Sequence, residues 1–90
     1  MNRIKVTFTG KGGRVGEAEA AKKFLTVGRE YDVFMVRVGG FSSTYELFGV
    51  SRHFNTTLFS PDTDTVIKSW PVPIKATGTY YFPESVQNDT

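Results

Sequence analysis

The chain contains no cysteine, which excludes disulfide staples and thiolate metal sites. It has one histidine, His53, so no histidine pair can hold a metal ion. No apolar run approaches the ~18 residues of a membrane span, and the opening Met1-Asn2-Arg3-Ile4-Lys5-Val6 has no signal-peptide core. A cytoplasmic protein without a membrane partner is therefore expected. The net charge is only +2, less than the excess that phosphate binding normally leaves. No nucleophile–base pair or metal-ligand spacing is readable, so neither cofactor nor enzymatic activity is expected.

Aromatic residues are what the chain has in quantity. Ninety residues with 8 Phe, 4 Tyr and 1 Trp make one domain, near the lower limit for a self-sufficient core. Each buried ring removes about 150–250 Å² from water, so a few rings can replace the missing disulfides. The charge is unevenly spread. Residues 1–16 carry Arg3, Lys5, Lys11 and Arg14 with no acid, whereas residues 53–90 carry Asp62, Asp64, Glu84 and Asp89 against Lys68 and Lys75. One end of the fold is basic if the first group shares a face.

Residues 3–9 alternate, with Ile4, Val6 and Phe8 on one side and Arg3, Lys5, Thr7 and Thr9 on the other, which predicts a half-buried strand. Four glycines in residues 10–16 then forbid regular structure. Residues 17–25 form the one helical stretch, with acids leading, bases following and Glu19 four residues before Lys23. Residues 31–38 are apolar on both faces and predict a central strand, followed by a Gly39-Gly40 hairpin signal. Residues 44–50 predict its partner, residues 53–59 a weaker strand, and Ser60-Pro61-Asp62 a turn. Residues 65–70 give another β-type run before Pro71 and Pro73, an edge strand open to pairing with a second copy. Residues 75–82 predict the last strand. The expectation is a mainly β chain, a small barrel of five or six short strands with one short helix over residues 1–82, and a flexible tail over 83–90.

The segment Leu25-Thr26-Val27-Gly28-Arg29-Glu30-Tyr31-Asp32-Val33 carries a resemblance. It is similar to the pattern Leu-Thr-x-Gly-(Lys/Arg)-x-Tyr-x-Val of small Src-homology-3-like barrel proteins of tailed bacteriophages. The likeness continues through the strand Tyr45–Val50 and the Phe-rich residues 54–59, and so covers residues 25–60. It implies a compact barrel and a phage accessory protein, without an activity, because such barrels serve many roles. The glycine-rich segment and the aromatic C-terminal arm depart from that pattern.

The glycine-rich segment follows a strand and precedes a helix, where successive amides can form an anion nest. It lacks both the P-loop pattern and the dinucleotide fingerprint, since Val15 stands where the last glycine belongs. It reads first as a mobile connecting loop, next as a basic contact loop through Lys11 and Arg14, and last as a phosphate cradle. His53 reads as a surface side chain before a catalytic one, and Asp62 and Asp64 as solvated turn residues. In residues 80–82, neighbours face opposite sides of a strand, so at least one ring is a candidate for exposure.

The leading expectation is a non-enzymatic binding module that engages or inhibits a host protein through Lys11, Arg14, Trp70, Tyr80 and Tyr81. The competing reading of the arm is that it completes the core. A nucleic-acid binder using Arg3, Lys5, Arg14 and Arg37 is the alternative, and a nucleotide sponge holding phosphate at residues 10–16 is a third.

Overall fold

The structure is a computed structural model and describes residues 2–83; apart from Pro83, the tail expected over 83–90 lies outside the described residues. Six strands form one antiparallel sheet: β1 (Lys5–Phe8), β2 (Glu30–Val38), β3 (Thr44–Leu47), β4 (Val50–Asn55), β5 (Phe59–Ser60) and β6 (Gly78–Tyr81). Helix α1 (Glu17–Ala21) lies between β1 and β2, a 3-10 turn (Thr56–Leu58) joins β4 to β5, and α2 (Thr63–Ser69) follows β5. The hydrogen-bonded path runs β4-β3-β2-β1-β5. Its two ends do not pair, so the mainly β class holds while the expected barrel is not closed.

β2 organises the sheet. Its first residues pair with β1 (Lys5↔Asp32, Thr7↔Glu30), while its later residues pair with β3 on the other edge (Val36↔Tyr45, Arg37↔Thr44). Residues 35–38 also pair with β6 (Met35↔Tyr81, Val38↔Gly78). Since β3 holds one edge there, β6 must take the edge that β1 occupies farther up. A register shift between Val33 and Met35 sets the faces. Val33 and Val36 point into the core, Asp32 and Arg37 to the outer face, and Met35, on the side of Arg37, is nevertheless fully buried.

One cluster fills the interior: Val6, Phe8, Leu25, Val33, Val36, Tyr45, Leu47, Phe54, Leu58, Phe59, Val66, Trp70 and Phe82 are all buried in it with Ala21. Its rings meet edge to face, as Tyr45–Phe59 at 5.6 Å and Trp70–Phe82 at 5.9 Å do. Burial pushes the Tyr45 phenol above its ordinary pKa range. The Leu25–Val33 segment earlier compared with phage barrels has a physical role: Leu25 and Val33 are buried, and the Tyr31 hydroxyl accepts from the Thr26 amide at 2.7 Å, fixing the bend into β2.

Three elements differ from their sequence expectation. Residues 65–70 are not an edge strand but belong to α2 and its C-cap, so no strand is available there for a homodimer. The β-branched Thr65, Val66 and Ile67 cost a few tenths of a kcal/mol each in a helix, which burial of Val66 and Trp70, four residues apart, outweighs. Residues 44–50 are interrupted by a two-residue turn, Phe48-Gly49, with Leu47 paired to Val50, so β4 begins earlier than expected. Residues 17–25 contain only five α-helical residues, and the chain turns over 22–24. No described helix is long and apolar enough to cross a membrane.

Candidate functional site

Past the end of β1, Thr9 donates its amide to the Leu58 carbonyl at 2.9 Å and its hydroxyl bonds the Lys11 carbonyl at 3.0 Å. Gly12 then crosses directly over the 3-10 turn. A Cβ there would stand 2.4 Å from the Thr57 carbonyl oxygen, with φ at +95°, so only glycine fits the crossing. The Gly13 amide donates to Thr57 Oγ1 at 2.9 Å, and the Arg14 amide donates to Glu17 Oε1. Asn55 ties the same carboxylate to β4 through Nδ2 at 3.3 Å. The glycine-rich segment is thus laid down in a defined path.

The opposite bank is the β2–β3 connection. The Gly39 amide donates to Ser43 Oγ at 3.3 Å, and the Thr56 amide donates to the Ser43 carbonyl at 3.0 Å. Between the banks lies a cleft of about 460 Å³, floored by Asn55, Thr56, Thr57 and Thr63 and rimmed by Arg14 and Phe41. Thr63 Oγ1 donates to Thr56 Oγ1 at 2.8 Å beneath it. Phe41 is 105% exposed and Val15, next to Arg14 in the chain, is 106% exposed. Both apolar side chains stand fully in water at loop positions held from below.

This geometry bears on anion binding. The amides of Gly13 and Arg14 are already committed to Thr57 and Glu17, and a carboxylate stands where a phosphate would have to sit. Among the described residues, no cluster of side chains could hold a metal ion. His53 is exposed and lies 3.4 Å from Glu46, with its Nε2 facing a carboxylate oxygen.

The residues expected to bind a partner separate into two groups. Lys11 and Arg14 are exposed on the glycine-rich bank. The aromatic arm goes elsewhere. Trp70 is only 5% exposed and packs against Phe82, so its assignment as a contact residue is corrected: it is a core residue. Tyr80 is half-buried against the core and donates its hydroxyl to the Ala76 carbonyl at 2.7 Å. Tyr81 is half-exposed on the outer face, edge-on to Phe34 at 5.7 Å.

The basic set also divides. Arg3 and Lys5 both bond Asp32, at 3.1 and 2.8 Å, and Arg3 stacks over Phe48 at 3.9 Å. The hydrogen bond from Lys5, with help from Arg3, holds the Asp32 carboxyl below its usual range, and the same bond raises Lys5. Arg37 is exposed on the outer face, opposite Thr44 and Thr79, while Arg14 belongs to the cleft. Only Arg3, Lys5 and Arg37 share a face, and a carboxylate offsets two of them.

The sequence reading missed Phe41 and Val15. A signal existed for both: each is a lone apolar residue in a glycine-rich stretch, Val15 between Arg14 and Gly16 and Phe41 between Gly40 and Ser42, outside any strand or helix pattern that would bury it.

No curated protein and no solved structure matches the chain. A family model does, the one described as Bacteriophage T4 protein Y07B, over residues 4–81. That span runs from the residue before β1 through the end of β6 and so includes the whole sheet and both banks of the cleft, and the chain belongs to this bacteriophage family.

Proposed function

We propose that this phage protein is a non-enzymatic accessory module that works in the host cytoplasm by binding a host protein at the cleft between the glycine-rich segment and the β2–β3 loop. One observation carries the reading: Phe41 and Val15 are fully exposed on loops whose backbones are anchored by hydrogen bonds. Covering an apolar side chain of this size stabilises a complex by about 1.5–3 kcal/mol, and a pre-positioned loop loses little freedom on binding. Lys11 and Arg14 on the same bank select an acidic partner surface and speed its approach. The threonine-lined floor supplies hydroxyls for a polar rim around the apolar anchors.

The test is site-specific photo-crosslinking. With p-benzoylphenylalanine in place of Phe41, one discrete host adduct is expected in infected cells. The same probe in place of the exposed Val72 should give none, and Arg14→Glu should weaken the Phe41 adduct. Phe41→Ser and Val15→Ser should abolish the complex without loosening the fold. Adducts at both positions alike, or at neither, would remove the proposal.

A further inference from the structure

The floor of the Phe41 cleft holds more hydrogen-bond donors than it uses. Asn55, Thr56 and Thr63 line it. Thr63 and Thr56 share one hydrogen bond at 2.8 Å, and neither hydroxyl has another partner among the described residues. Two hydroxyls carry two protons and either can be the donor, so one proton of the pair has no acceptor. Thr56 is 3% exposed, whereas Thr63 is half-buried. With Thr56 donating inward, the spare proton belongs to Thr63 and faces the cleft. The Tyr45 hydroxyl, fully buried and acted on by Thr63 and Asp62, also lacks a partner among the described residues. Buried donors left unmade are costly, so this much idle capacity calls for an acceptor.

Asn55 repeats the pattern. Its Oδ1 accepts from the Thr57 amide and hydroxyl, which fixes the orientation of the side-chain amide. Of the two protons on Nδ2, one goes to Glu17 Oε1 at 3.3 Å, and the other has no partner among the described residues. The Ser43 hydroxyl accepts from the Gly39 amide and donates to nothing among the described residues. Arg14, the charged residue of the lining, adds further donors.

On the reading of this cleft as the host-protein site, we propose that it takes the side-chain amide of an asparagine or glutamine of that partner, whose carbonyl accepts from Thr63 and Asn55. The surroundings select a neutral acceptor. The carboxylates of Glu17 and Asp62 stand beside Asn55 and Thr63 and offset Arg14, so they repel an entering carboxylate and leave a carbonyl unopposed. Phe41 and Val15 stand fully exposed above the floor, so the partner's main chain rests on them and a side chain descends. The carbonyl then ends a chain of donors running through the two threonines, in which each bond polarises the next. A site built this way rejects a residue that brings no acceptor.

The test titrates acetyl-Leu-Gln-Leu-amide into the isotope-labelled full chain, with acetyl-Leu-Glu-Leu-amide and acetyl-Leu-Ala-Leu-amide in parallel. Expected are saturable shifts of the Asn55 side-chain amide and of residues 41, 56 and 63, with the glutamine peptide bound at least fivefold more tightly than either control. Thr56→Val with Thr63→Val removes the hydroxyl pair together and leaves no half of it stranded. It should erase the advantage of glutamine while the shift at Phe41 persists, and Thr63→Ser should retain that advantage. Equal binding of the glutamine and alanine peptides would overturn the proposal by leaving the hydroxyls to water. A glutamate peptide bound as tightly would overturn it in favour of a carboxylate, and no saturable shift with any peptide would overturn it outright. The glutamine advantage without a host adduct at Phe41 removes the cellular partner and keeps the amide site; the adduct without the advantage does the reverse.

Discussion

Replacing Gly12 with alanine tests whether the glycine-rich segment is built as described. Two costs combine. A side chain at φ +95° pays the left-handed penalty of about 1–2 kcal/mol. The new Cβ would also stand 2.4 Å from the Thr57 carbonyl oxygen and 3.1 Å from its carbon, a contact with backbone that cannot rotate away. Thr57 is itself held, its amide and hydroxyl both donating to Asn55 Oδ1 at 3.0 and 2.8 Å. Forcing that turn aside resembles overpacking a core, at about 1–3 kcal/mol more. The expected loss is about 2–5 kcal/mol, a large share of the roughly 5–13 kcal/mol available to a chain of this length. At about 4–8 °C per kcal/mol, a 3 kcal/mol loss lowers the melting temperature by about 12–24 °C. Gly16→Ala supplies the control. Gly16 has φ +87° but nothing within 4 Å of an added Cβ, so it pays the backbone penalty alone. Thermal melts followed by circular dichroism, with urea titrations for the free energies, read the difference. If the two variants lose the same stability, the close crossing over Thr57 does not exist.

Trp70→Ala should cost about 3–5 kcal/mol in urea titrations, because it empties the seat against Phe82; a loss under about 1 kcal/mol would return the tryptophan to the surface. Asp32→Asn reports the pair with Lys5 and Arg3. The folded carboxyl has a lowered pKa, so its contribution is present at neutral pH and is lost as pH falls below about 4 and through the folded value. The stability gap between wild type and Asp32→Asn should therefore shrink toward acid pH in parallel urea titrations, and a gap that grows there would contradict the pairing. It should stay small, since the Lys5 side chain is more than half exposed and solvent screens its pairing. Single-stranded DNA should elute from the immobilised protein below about 0.1 M salt, since Asp32 offsets Arg3 and Lys5. Retention beyond about 0.2 M that Arg37→Ala abolishes would instead assign nucleic acid to the outer face.

The sequence was most readable where one local signal agreed with burial. The alternation of Ile4, Val6 and Phe8 marked β1, and the apolar run through Val33 and Val36 marked the central strand. It misled where tertiary contacts outvoted propensity. Thr65, Val66 and Ile67 look like strand residues, yet Asp62 before them, Asp64 in the first turn and Lys68 in the last are helix signals, and the buried pair Val66 and Trp70 decides the outcome. The Phe48-Gly49 turn was hidden because Leu47, Phe48 and Val50 read as one apolar stretch. Of the candidate site, Lys11 and Arg14 were legible as exposed loop bases. Phe41 and Val15 were not singled out, although each is an isolated apolar residue beside glycines, outside any strand or helix pattern. Nor could charge alone show that Asp32 engages Arg3 and Lys5 from 29 and 27 residues away.

The double claim on the later half of β2 has a consequence for the order of assembly. Arg37 pairs with Thr44, seven residues on, and with Thr79, forty-two residues on. Short-range ladders close at small entropic cost and long-range ones later, so the β2–β3–β4 meander forms first and β6 zips onto it afterwards. Until then residues 35–38 offer an unpaired flank, and the buried seat of Phe82 stands empty. Trp70, the sole tryptophan, packs on that ring, and its fluorescence should change in the slower phase of refolding; a change complete before the meander forms would contradict this order. The half-assembled chain is then the form most exposed to pairing with its own kind, and the insertion of a single phenylalanine ends that exposure.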